Sequence, residues 1–95
     1  MQLARYTVEL RLPGGGRADI RDATARARQA TEQLRCEGKQ IRFLRSIYVP
    51  EDGACFFLYE GSSAQAVRAA ALRAKLGVRR VDEALRLDIE GGETS

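Results

Sequence analysis

Two apolar runs held around a single turn constrain this chain more than any other feature. From Lys39 to Val49, the residues Ile41, Phe43, Ile47 and Val49 alternate with Arg42, Leu44, Ser46 and Tyr48, and Arg45 breaks the apolar side. From Cys55 to Glu60 the chain reads Cys-Phe-Phe-Leu-Tyr-Glu. Pro50, Glu51, Asp52 and Gly53 lie between the two runs. Proline fixes φ at the start of a turn and glycine accepts the positive φ that closes many hairpins, so the runs are expected to pair antiparallel. The second run is apolar on both parities, the pattern of a central strand covered on both faces. Something has to cover its second face.

The flanking segments supply the rest. Ala4 to Leu12 alternates Tyr6, Val8 and Leu10 with Arg5, Thr7, Glu9 and Arg11, the period of a half-buried first strand. Pro13 and Gly14 to Gly16 end it in a loop; no Gly-Lys-Ser/Thr and no G-x-G-x-x-G spacing follows, so it does not read as a phosphate cradle. Asp19 or Asp22 is expected to cap a helix running to about Glu37, with Ala23, Ala27, Ala30 and Leu34 as its apolar stripe and Gly38 as its stop. Arg21, Arg26, Arg28 and Arg35 read as a solvated basic face. Ser62 with Gln65 reads as a capping box opening a second helix to about Leu76, striped by Val67, Ala70, Ala71 and Ala74 and ended by Gly77. Val78 to Ile89 is expected as strand four, with Val81, Leu85, Leu87 and Ile89 opposite Asp82, Ala84, Arg86 and Asp88, before a polar tail at 91–95 that should fray.

The order β, α, β, β, α, β with a central hairpin predicts a ferredoxin-like α+β sandwich, a four-stranded antiparallel sheet with both helices on one face. At 95 residues the chain is read as one domain, 1–95. No apolar run approaches the roughly 20 residues of a membrane span and the first residues lack a signal-peptide layout, so a soluble, cytoplasmic protein is expected, with no membrane partner. The absence of histidine removes the commonest neutral-pH general base and the commonest transition-metal ligand. Cys36 and Cys55 are too few for a disulfide scaffold and are expected as reduced thiols. The net charge of +3 is a weak signal. RNA-recognition modules share this topology, but at Asp52 to Tyr59 the leading basic residue is Asp52 and the first stacking aromatic is Ala54, so nucleic acid is not the expected partner.

Function then rests on the open sheet face. If strand one turns Tyr6, Val8 and Leu10 inward, Arg5, Thr7 and Glu9 lie on that face with Arg86 and Asp88. Strand two brings either Arg45 with Phe43 and Ile47, or Tyr48 with Leu44 and Ser46. Strand three brings either Cys55, Phe57 and Tyr59, or Phe56, Leu58 and Glu60. A mixed face of rings, arginines and carboxylates suits a small, partly apolar, anionic ligand, held at the face or at a homodimer interface through the sheet. Arg5 or Arg45 would be the counter-charge, Tyr48 or Tyr59 would line the site, and Arg86 would join it. A cofactor-free enzyme of the dimeric α/β-barrel kind, with Glu9 or Glu60 as general base, is the alternative. No cofactor is expected in either case.

Ile41 to Glu60, followed by Ser63-Ala64-Gln65-Ala66-Val67-Arg68, resembles the DUF4242 family of small nickel-binding-protein-like ferredoxin-fold proteins. The first and last strands share the resemblance. It implies the same fold, a tendency to pair through sheets and, for some members, nickel binding. Where such relatives can carry histidine, this chain has Arg45 or Ser46 on strand two and Phe57 on strand three. No tightly bound nickel or zinc is therefore expected, since these ions favour imidazole and thiolate donors.

Overall fold

A computed structural model describes residues 3–12 and 16–84. Strands β1 (Ala4–Leu10), β2 (Ile41–Val49), β3 (Ala54–Gly61) and β4 (Val78–Ala84) alternate with helices α1 (Arg17–Cys36) and α2 (Ala64–Arg73) in the expected order. They form one antiparallel sheet in the order β2-β3-β1-β4, the ferredoxin-like arrangement, and the core lies between that sheet and the two helices. The expected continuation of strand four to Ile89 and the tail at 91–95 lie outside the described residues.

Polarity in β1 sets the sheet's inner face. Tyr6, Val8 and Leu10 are buried, while Arg5, Thr7 and Glu9 point the other way. β3 carries no such signal of its own and takes its parity from pairing: Val8 opposes Phe57 and Tyr6 opposes Tyr59, so Cys55, Phe57 and Tyr59 go inward and Phe56, Leu58 and Glu60 outward. Alanine stripes let both helices lie close on this layer; Ala23, Ala27, Ala30 and Leu34 of α1 and Val67, Ala70 and Ala71 of α2 are all buried.

The helix ends depart from the sequence reading in three places. α1 starts at Arg17 with Gly16 as its N-cap and no side-chain cap; Asp19 sits inside the first turn, where its charge suits the helix dipole, and Asp22 pairs instead with Arg26 at 3.0 Å. Its C-terminus is as expected: Gly38 takes φ +88°, its N–H donates to the Arg35 carbonyl and the Lys39 N–H to that of Leu34, a closure that favours glycine. The cap of α2 is Ser63, not Ser62, its hydroxyl accepting from the Ala66 N–H at 3.1 Å. The residue that ends α2 is Lys75, at φ +60°, rather than Gly77, with the Lys75 and Leu76 amides donating to the Leu72 and Ala71 carbonyls. Gly77 serves a close approach, because a Cβ there would lie 2.9 Å from the Arg11 carbonyl oxygen. Nor is Arg26 part of a solvated face: its guanidinium donates to the Ala74 and Lys75 carbonyls and ties α1 to the end of α2.

β2 contains the feature that decides the surface. Phe43 opposes Tyr59 but Arg45 opposes Leu58, so one extra residue, Leu44, is inserted into the ladder. Such a bulge flips the parity of everything beyond it. Before it, Ile41 and Phe43 face the helices; after it, Ser46 and Tyr48 do, opposite Phe57 and Cys55, while Arg45 and Ile47 turn to the open face.

Candidate functional site

The open face is a grid of cross-strand rows. Arg42, Glu60, Arg5 and Ala84 make the first, Arg45, Leu58, Thr7 and Asp82 the second, and Ile47, Phe56, Glu9 and Arg80 the third. Leu58, Phe56 and Ile47 thus form an apolar strip towards β2, and Ile47 is 41% exposed. Around the strip, Glu9 lies 3.7 Å from Arg80 and 4.0 Å from Arg79, and Glu60 lies 3.9 Å from Arg42. Arg5 and Arg45 are exposed and form no ion pair among the described residues.

Of the residues singled out from sequence, Arg5, Arg45, Glu9 and Glu60 therefore share this face. Tyr48 and Tyr59 do not. Tyr59 is fully buried under the helices, where Phe43 packs edge-on against it at 5.4 Å and against Phe57 at 5.1 Å. Its hydroxyl has no hydrogen-bond partner among the described residues, and burial pushes its phenol pKa well above the ordinary range. Tyr48 sits on the helix side of the edge strand because of the Leu44 bulge. Of the two alternatives for strand two, neither occurs whole: Phe43 parts from Arg45 and Ile47. Arg86 and Asp88 lie outside the described residues. Cys55 is buried in the core and its thiol pKa is raised by desolvation, the state of an inert packing thiol; Cys36 is exposed at the end of α1.

A second concavity, not anticipated from the sequence, lies on the other layer. Arg17, Ile20, Arg21, Thr24, Ala25 and Arg28 line one wall of a cavity of about 550 Å³, and Ser46 and Tyr48 line the other. The basic residues recur at helical spacing along α1, which is visible in the sequence; that Ser46 and Tyr48 face them is not, because only the bulge brings those residues round.

The donor set does not fit a nickel centre. There is no histidine in the chain, Cys36 and Cys55 lie on different elements with one exposed and one buried, and no cluster of three or more Cys, Asp or Glu able to hold a metal occurs among the described residues. Among those residues, no helix is long and apolar enough to cross a membrane.

A family model described as nickel responsive protein SCO4226-like matches residues 6–83. Among solved structures, the crystal structure of SCO4226 from Streptomyces coelicolor A3(2) superposes with a TM-score of 0.68 at 24% sequence identity, covering 87% of this chain and 98% of that one. At that identity the likeness speaks for the fold alone. No curated protein matches this chain. The family match agrees with the resemblance carried by Ile41 to Glu60 and Ser63 to Arg68.

Proposed function

This chain belongs to the nickel-responsive SCO4226-like family, and from that premise we propose that it is a cytoplasmic binding module whose copies pair through their open sheet faces and hold a small, partly apolar anion there. The observation that supports this is the strip of Leu58, Phe56 and Ile47 on a sheet face that neither helix covers. A central strand apolar on both parities is suited to two packed layers, and a second sheet supplies the one that the described residues lack. Arg45 and Arg5, free of ion pairs among the described residues, are the counter-charges for an anion beside the strip. An isologous pairing would place two sets of these arginines around one apolar seam. Reduced thiols suit the cytoplasm. The alternative of a general-base enzyme draws no support from Glu9 and Glu60, since Glu9 faces two guanidinium groups and Glu60 faces one, with neither in an apolar pocket.

Light scattering at micromolar concentration should return twice the chain mass, and Leu58→Asp should return the single-chain mass with its circular dichroism unchanged. A single-chain mass for the unaltered protein overturns the pairing. In thermal-shift titration against a panel of aliphatic and aromatic carboxylates, some members should raise Tm, and the Arg5→Glu, Arg45→Glu double variant should lose that response. An unchanged response in the double variant overturns the open-face ligand assignment.

A further inference from the structure

The cavity between α1 and β2 has a composition of its own, and we propose that it is a separate site for a small aromatic carboxylate, its ring in the cleft and its carboxylate against Arg21 and Arg28. Arg17, Ile20, Arg21, Thr24, Ala25 and Arg28 follow one another at spacings that place them on one face of α1, offset from the buried alanine stripe. The opposite wall is open because of one residue. The first inward position beyond the Leu44 bulge is Ser46, which is small and half-buried, whereas the preceding inward position carries Phe43. The resulting volume of about 550 Å³ lies within the range of small-molecule sites, roughly 300–1,000 Å³.

Charge decides the class of ligand. Among the described residues, three guanidinium groups line the cavity and no carboxylate does. None of the three arginines is ion-paired among the described residues, although Arg26, Arg42, Arg73, Arg79 and Arg80 all are. Arg28 is also held in place, its guanidinium lying 5.3 Å from the centre of the Phe43 ring. A planar carboxylate matches the guanidinium fork, and Ile20, Ala25 and the Tyr48 ring offer apolar walls that an aromatic body would cover and inorganic phosphate would leave bare.

The probe is 2-naphthoate, titrated into the isotopically labelled full-length protein and followed by amide NMR shifts. Saturable shifts should centre on Ile20 to Arg28 and Ser46 to Tyr48, with neutral 2-naphthalenemethanol and inorganic phosphate each binding about tenfold or more weakly. Arg21→Glu and Arg28→Glu, both at exposed positions, should each weaken binding about tenfold or more, while Arg68→Glu on α2 leaves it unchanged. Ser46→Phe should fill the cleft and abolish binding; if that variant loses its native spectrum, the charge reversals decide. Absence of saturable shifts, as when another segment or a second copy occupies the cleft, overturns the proposal. So do shifts centred on Thr7, Phe56 and Leu58, equal binding of the neutral analogue, or unchanged affinity in the Arg21→Glu, Arg28→Glu double variant.

Discussion

Replacing Tyr59 by phenylalanine should make this protein more stable, although it removes a polar group from the middle of the fold. Tyr59 is fully buried, and its hydroxyl has no hydrogen-bond partner among the described residues. Leaving a buried hydroxyl unpaired costs about 1–3 kcal/mol of lost hydration. Deleting the oxygen forfeits a few dispersion contacts, about 0.5–1 kcal/mol in all. The balance is a gain of up to roughly 2.5 kcal/mol, centred on about 1 kcal/mol. Each kcal/mol should raise Tm by about 4–8 °C for a domain of this size. The same burial raises the phenol's folded-state pKa, so the unfolded chain releases this proton first. Stability from Tyr59 is therefore complete below the ordinary phenol value of about 10 and is lost as pH rises above it, at about 1.4 kcal/mol per pH unit. Urea denaturation at neutral pH and at two points above pH 10 measures both effects, and the gap between variant and parent should widen with pH. A variant less stable than the parent by 1 kcal/mol or more would refute the reasoning, because the hydroxyl would then have to be satisfied in the folded protein.

Lys75→Gly should raise stability by about 0.5–1 kcal/mol in denaturant titration, since glycine occupies the φ of +60° without the Cβ penalty and loses only part of that gain to chain entropy. Gly77→Ala should lower it by about 1–3 kcal/mol, because the new Cβ would lie 2.9 Å from the Arg11 carbonyl oxygen, and the Arg11 N–H is already tied to the Gly77 carbonyl at 2.7 Å. The hydrogen bond from Arg73 holds the Glu37 carboxyl below its usual pKa, so the contribution of this pair is present above the ordinary glutamate range and disappears as pH falls through the lowered value. Both side chains are exposed, so Glu37→Gln should reduce the acid dependence of Tm slightly, and less so in high salt.

Much of the scaffold follows from local rules and is legible in the residues. The alternation of Tyr6, Val8 and Leu10 with Arg5, Thr7 and Glu9 assigns the faces of β1 because a strand's side chains change sides at every step. The alanine stripes assign the inner faces of both helices, Pro50 to Gly53 makes the central hairpin, and Gly38 ends α1 because glycine takes a positive φ at no steric cost. With those elements fixed, the ferredoxin-like order leaves little choice of topology.

What the chain presents on its surfaces was decided between elements. Cys55 to Glu60 is apolar on both parities, so nothing local says which side is inner; the pairing of Phe57 with Val8 does, and it sends Tyr59 into the core and Leu58 out. The Leu44 bulge leaves a single trace in the residues, Arg45 breaking the apolar side, but an extra residue in a ladder exists only relative to the strand beside it, and that insertion separates Phe43 from Arg45, exposes Ile47 and turns Ser46 and Tyr48 towards α1. Lys75 ends α2, and Gly77 instead meets the close approach of Arg11, a contact 66 positions back along the chain. Periodicity belongs to one segment and can be read from it, whereas register and close approach belong to pairs of segments and exist only once the chain has folded.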